Sequence, residues 1–230
     1  RIVTGAVTAA TGAFTQDAQT NTQVDITIDT WRYAGAETTD LAMAQSWWDP
    51  ESDFPADAEK SLAEDRDDSI AGLHTDITTN VVGTEASPIV FDDVPVRAAM
   101  LKLADLNIPL KNLSWILPPI AFYNGLFTQD RFTDSDKAGL PKNVLTTNFR
   151  FPLLGVPAYE STKLRTVGTA IKAFLLHKEA LAIGMQINNK FKRAEETAAQ
   201  KLASVVGMET LYGVRTVRQN HAVKVHIKNS

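Results

Sequence analysis

Between Gln23 and Thr30 the chain reads QVDITIDT, in which Val24, Ile26 and Ile28 alternate with Asp25, Thr27 and Asp29. A period of two puts the three apolar side chains on one face of a strand, Val24 to Thr30, and the polar ones on the other. What precedes it supplies no cover. Residues 1–22, RIVTGAVTAATGAFTQDAQTNT, are rich in Ala, Thr and Gly and poor in large apolar groups. Such a leader buries little and is expected to be extended and mobile. A lone strand on a weak leader is not stable by itself, so its partner is another part of this chain or another chain. Trp31, Arg32 and Tyr33 follow directly, and Trp47 and Trp48 lie in the same weakly cored quarter. Aromatic residues and Arg are what the centres of protein interfaces favour. Each one singly fits the chain's own core equally well. As a group beside an uncovered strand, Val24, Ile26, Ile28, Trp31, Arg32, Tyr33, Trp47 and Trp48 are candidate inter-subunit contacts, with Arg32 suited to a neighbour's carboxylate.

The remaining segments mix helix and strand without a βαβ rhythm, which places the chain of 230 residues in the α+β class. Residues 39–48 read as a helix with Thr39 as N-cap and Leu41, Ala44 and Trp48 on one face. Pro50 and Pro55 interrupt the pattern, so the next helix is expected to begin near Asp57. Its narrow apolar stripe of Ala58, Leu62, Ser69, Ile70 and Leu73 predicts a surface helix. A third helix opens after Asp92-Asp93, with Pro95 in its first turn and a stripe of Val96, Ala99, Met100, Leu103 and Ala104. LSWILPP is a short buried strand, IAFYNGLF a helical turn or two, and the Asn143–Ser161 stretch two strands around Gly155. IKAFLLHKEALAIGMQ is apolar enough to be core, while residues 191–213 satisfy neither period clearly. The chain closes on LYGVRTVRQNHAVKVHI: strand from Val214 to Arg218, break at Gln219-Asn220, strand from Ala222 to Ile227, with the basic residues expected on the exposed side. The start at Arg1 fits a processed product or a part of a longer chain.

Several functions are disfavoured. The net charge of −4 leaves no basic excess of the kind nucleic-acid readers carry. With no Cys, disulfides and thiolate metal sites are excluded. The most apolar run, Leu113 to Phe122, is too short for a membrane span and holds two prolines. Neither a Gly-rich phosphate loop nor a nucleophile elbow occurs. His74, His177, His221 and His226 include no pair at i, i+4, so ordinary structural histidines are expected, with no metal and no cofactor. The acidic run Glu64, Asp65, Asp67 and Asp68 reads as a solvated helix face balanced by Lys60 and Arg66, since a calcium loop needs a Gly turn and alternating oxygens. Glu51, Asp53, Asp57 and Glu59 read the same way. An enzyme alternative, a small hydrolase or binding module, would rest on His177 with Glu179 inside an apolar segment.

The order of segments carries more than any one motif. WRYAGAETTDLAMAQSWWD follows the strand; then come KSLAEDRDDSIAGL, VPVRAAMLKLADLNIP, LSWILPP, GVPAYES and LYGVRTVRQNHAVKVHI. From Gln23 to Ile227 this order resembles the major capsid protein of tailed double-stranded DNA bacteriophages. The resemblance implies the tailed-phage capsid fold: an extended arm and E-loop (residues 1–37), a peripheral domain with the spine helix (38–86), an axial domain (87–185), and peripheral strands with the C-terminal strand (186–230). It implies assembly and no enzymatic turnover. The partners would be other copies of the chain, as hexamers and pentamers of an icosahedral shell, together with portal, scaffolding and decoration proteins. The shell would enclose double-stranded DNA without reading its sequence, touch no membrane, and belong to the virion after assembly in the host cytoplasm. An encapsulin-type compartment, thought to share the fold, is the near alternative; a tail or decoration component is another.

Overall fold

The computed structural model describes residues 23–45, 50–129, 152–195 and 203–229. Two sheets organise them. The first has three antiparallel strands in the order β1-β8-β7, formed by β1 (Thr30–Thr39), β8 (Ala203–Thr216) and β7 (Leu181–Glu195). The second is mixed, in the order β2-β9-β6-β3-β4, with β5 also on β6. Its strands are β2 (Val81–Val82), β3 (Leu113–Leu117), β4 (Ala158–Glu160), β5 (Thr166–Val167), β6 (Ala170–His177) and β9 (Ala222–Lys228).

The main core lies under the second sheet. Alternation along β3, β6 and β9 sends Leu113, Trp115, Leu117, Ala173, Leu175, Val223, Val225 and Ile227 to one face. There they meet Val96, Ala99 and Leu103 of helix α3 (Asp93–Asp105) and Phe91, Phe122 and Leu126. Helix α3 begins where Asp92 accepts a hydrogen bond from the Val94 amide at 2.9 Å, an N-cap that satisfies one of the orphan donors of the first turn. Met100 packs at the edge of this core, but Ala104 is exposed and takes no part in the stripe.

The second long helix, α2, runs from Pro50 to Gly72 with Pro55 inside it. The expected restart near Asp57 is therefore replaced by one continuous helix. A proline inside a helix costs about 3 kcal/mol. Here Phe54, Ala58 and Leu62 bury themselves against Met208 of β8 and Ala34 of β1, which offsets that cost. Helix α1 (Asp40–Gln45) covers the described part of the expected helix, and Thr39 is the last residue of β1 rather than its N-cap. Trp47, Trp48, Phe149 and Phe151 fall outside the described residues.

Three further expectations change. Residues 23–29 join no ladder; the strand begins at Thr30. The undecided stretch 191–213 belongs, where described, to β7 and β8, whose register shifts at Met185/Ile187 and Ile187/Lys190. Asn189, at φ 46°, supplies the left-handed backbone in the second irregularity. Last, β8 and β9 do not form a hairpin. They belong to different sheets, joined through a 3₁₀ turn at Gln219–His221. Lys224 and His226 on β9 are buried, so only Arg215, Arg218 and Lys228 of the closing basic residues face outward.

Candidate interaction surface

β1 pairs with β8 in a continuous register from Thr30↔Tyr212 to Thr39↔Ala203, and among the described residues no strand lies along its other side. Ten residues of backbone thus end the sheet, which is the element natural proteins normally protect or pair. The two faces of β1 differ. Thr30, Ala34 and Thr38 turn toward α2 and are half-buried, while Trp31 and Tyr33 stand on the opposite face, 68% and 83% exposed. Trp31 is positioned by its indole N–H, which donates to Glu209 Oε2 at 3.2 Å. Glu209 in turn is ion-paired with Lys192 of β7. The Lys192 hydrogen bond holds the Glu209 carboxyl below its ordinary value despite the opposing effect of burial. Trp31, Glu209 and Lys192 therefore link three strands across the outer face.

On the same face the leader crosses the sheet at a pair of glycines. Gly184 of β7 and Gly213 of β8 are direct cross-strand partners. A Cβ on Gly213 would lie 1.9 Å from the Thr27 carbonyl oxygen, and one on Gly184 would lie 3.5 Å from the side chains of Ile26 and Ile28. The backbone of residues 27 and 28 thus passes where side chains would otherwise stand. This gives the leader partial cover from its own chain. Ile26 is half-buried, but Val24 and Ile28 each remain 38% exposed.

Arg32 faces the other way and meets a carboxylate of its own chain, Asp65 of α2, at 3.3 Å. Asp65 also accepts from the Tyr212 hydroxyl at 2.7 Å, and Ser69 lies 2.8 Å from the same hydroxyl. The acidic run of α2 is consequently more than a solvated face. Glu64 pairs with Lys163 at 2.8 Å and Asp68 with Arg165 at 2.6 Å, both from the segment before β5, while Arg66 donates to Asn188 of β7 at 3.2 Å. The helix is a strut whose charges reach both sheets. Each exposed pair contributes little on its own, but together they fix the placement of α2.

The outward-facing candidates are therefore Val24, Ile28, Trp31 and Tyr33, with Ile26 and Arg32 partly or wholly engaged at home. Sequence reasoning missed a second cluster, on the face of the second sheet opposite the main core. Lys172 of β6 is fully buried, donates to Glu85 at 2.7 Å, and contacts His226 Nδ1 at 2.9 Å. Lys224 donates to the His74 carbonyl at 2.9 Å. Burial, with Lys172 and Lys224 adding to it, pushes His226 down to about 4. An uninterrupted apolar run, AIKAFLLH, gave the one available signal that its single Lys sits in a buried strand.

The His177–Glu179 dyad of the enzyme alternative does not form. The Glu179 carboxylate pairs with Arg218 at 2.7 Å, and His177 Nδ1 accepts only from the Glu179 backbone amide, at 3.3 Å. His177 is buried at the edge of an apolar groove with Ile70, Leu73, Ile116 and Leu176, to which Glu179 contributes nothing.

No protein-family model matches the chain, and no curated protein does. Solved structures do. A structure of Mycobacterium phage Che8 superposes with a TM-score of 0.76 at 21% identity, covering 94% of this chain and 78% of that one. The capsid of cyanophage P-SCSP1u gives 0.71 at 13% identity, over 95% and 81%. An encapsulin complex from Synechococcus elongatus gives 0.62 at 11% identity, over 87% and 75%. The chain has the tailed-phage capsid fold, α+β, which the encapsulin shares.

Proposed function

We propose that this protein is the major shell subunit of a tailed bacteriophage, assembling with copies of itself around double-stranded DNA. The reading is carried by the likeness of fold to phage capsid structures over almost the whole chain. The unpaired side of β1 and the exposed Trp31 and Tyr33 support it, because a closed shell of repeated tiles needs self-matching edges and anchors that a monomer leaves open. In this reading the three-stranded sheet with α2 forms the peripheral part, and the second sheet with α3 the axial part. The leader up to Glu37 belongs to the arm and E-loop, which thereby supplies most of β1 to the peripheral sheet, and Val24, Ile28, Trp31 and Tyr33 bear on a neighbour. Hexamers and pentamers, a portal, scaffolding or decoration proteins, and location in the virion belong to the same reading. Its function is structural, with no turnover.

Expression followed by electron microscopy is the test. Wild-type protein is expected to form closed particles; the double variant Trp31→Ala/Tyr33→Ala is expected to stay folded by circular dichroism but remain as subunits. Discrete monomers of the wild type under every assembly condition refute the reading. The encapsulin likeness supports a compartment as the second reading, and what co-purifies separates the two: genome for the phage shell, a cargo protein for the compartment.

A further inference from the structure

The two sheets are joined by two short crossovers that meet at one place. Lys178–Ala180 carries the chain from β6 to β7, and Val217–His221 carries it from β8 back to β9. The amides of Val217 and Arg218 both donate to the Ala180 carbonyl, at 2.9 and 3.1 Å, so the crossovers are tied side by side. Three potential ligands sit on them or at the end of β6 that leads into them. His177, Glu179 and His221 each offer an atom within 4.8 Å of the others.

We propose that His177, Glu179 and His221 bind a transition-metal dication of the Zn²⁺ class and thereby clamp the junction between the sheets. Two imidazoles and one carboxylate form a mixed N/O donor set, which suits Zn²⁺, Cu²⁺ or Ni²⁺ and is a poor match for the all-oxygen preference of Ca²⁺ and Mg²⁺. The spacing is slightly open. Bonds of about 2.0–2.1 Å in a tetrahedron bring ligand atoms to about 3.4 Å from one another, so closure needs a movement of at most about 1.4 Å between any two of them. Glu179 is exposed and can supply it by rotation.

Independent observations point to the same three residues. His221 Nδ1 is buried and has no hydrogen-bond partner, a costly state for a lone pair that a metal ion would end. Glu179 uses Oε2 for Arg218, which leaves Oε1 for the ion and makes Arg218 an orienting neighbour of the carboxylate. The rings of His177 and His221 already face each other edge to face, with centroids 5.3 Å apart. His177 gives up only a long 3.3 Å bond from the Glu179 amide if it ligates through Nδ1. None of this depends on assembly, so the clamp goes beyond the shell reading and can be tested apart from it.

The test is titration of chelator-treated subunits with Zn²⁺ by calorimetry, with thermal unfolding followed in parallel. The expected result is one Zn²⁺ per chain, a melting temperature that rises with Zn²⁺, and no response to Mg²⁺. Glu179→Gln and His221→Gln alter exposed or half-buried side chains and are expected to keep the fold. Each should weaken Zn²⁺ binding at least about tenfold. Absence of binding at about 1 mM Zn²⁺, or wild-type affinity in both variants, overturns the proposal. Subunits that bind Zn²⁺ but never form particles would count against the shell and leave the clamp standing.

Discussion

Gly213 and Gly184 face the same leader across one rung of the β7–β8 ladder, yet the structure assigns them opposite tolerances. An alanine at 213 would place its Cβ 1.9 Å from Thr27 O, 2.8 Å from Thr27 C and 3.1 Å from Ile28 Cα. Carbon–oxygen contacts settle at about 3.3 Å, so leader and strand must part by about 1.4 Å, and backbone atoms cannot rotate away as a side chain would. Overpacking of this kind costs about 1–3 kcal/mol. At about 2–4 °C per kcal/mol for a domain of this size, Gly213→Ala should lower the melting temperature of the subunit by about 2–12 °C. An alanine at 184 would meet Ile26 Cγ2 and Ile28 Cδ1 at 3.5 Å, an ordinary contact, and should be neutral or mildly stabilising. The paired assay is thermal unfolding with hydrogen exchange of residues 24–29. Gly213→Ala should raise exchange in that segment, and Gly184→Ala should not. If the two variants match each other and the wild type in both measurements, the leader does not cross the sheet at this rung.

Two more outcomes follow from buried groups. The folded protein holds His226 at about 4, against an ordinary value of 6.5, so the unfolded chain takes up the proton first. Its contribution to stability is complete above pH 6.5 and is lost as the pH falls toward 4. His226→Gln, which keeps an acceptor for Lys172, should flatten the fall in melting temperature across that window, and an unchanged slope would contradict the assignment. Glu85, held low by its hydrogen bond from Lys172, acts in the same direction at lower pH, within and below the ordinary carboxylate range. Tyr212→Phe removes a fully buried hydroxyl that bonds Asp65 and Ser69 of α2. A cost of about 1–3 kcal/mol in chemical denaturation is expected; a midpoint equal to wild type would show that the strut does not depend on this bond.

The parts of the fold legible in the sequence are those whose signals are local. Asp92, Pro95 and the stripe through Leu103 mark α3 because cap, first turn and periodicity agree within one segment. LSWIL reads as β3 because alternation and flanking prolines agree. Where tertiary packing decides, sequence misleads. Pro55 looks like a break, but Phe54, Ala58 and Leu62 have a buried partner in Met208, far along the chain. Val24, Ile26 and Ile28 alternate like a strand, yet the partial cover of Ile26 and Ile28 is a glycine pair some 160 to 190 residues away that no pattern advertises. The contiguity of β8 and β9 suggests a hairpin, but the turn between them carries the chain from one sheet to the other. Among the candidate contact residues, Trp31 and Tyr33 stand exposed on one face of β1. Arg32 shares their sequence neighbourhood and points to the other face, a distinction that period two contains and composition hides. The His177, Glu179 and His221 cluster was invisible because its second imidazole arrives from the other crossover.

The side-by-side crossovers also have a mechanical consequence. A load pulling the two sheets apart is shared between two covalent strands acting in parallel at Lys178–Ala180 and Val217–His221. Neither hydrogen-bonded ladder has to unzip for that load to be borne, so tension across this seam is carried through peptide bonds.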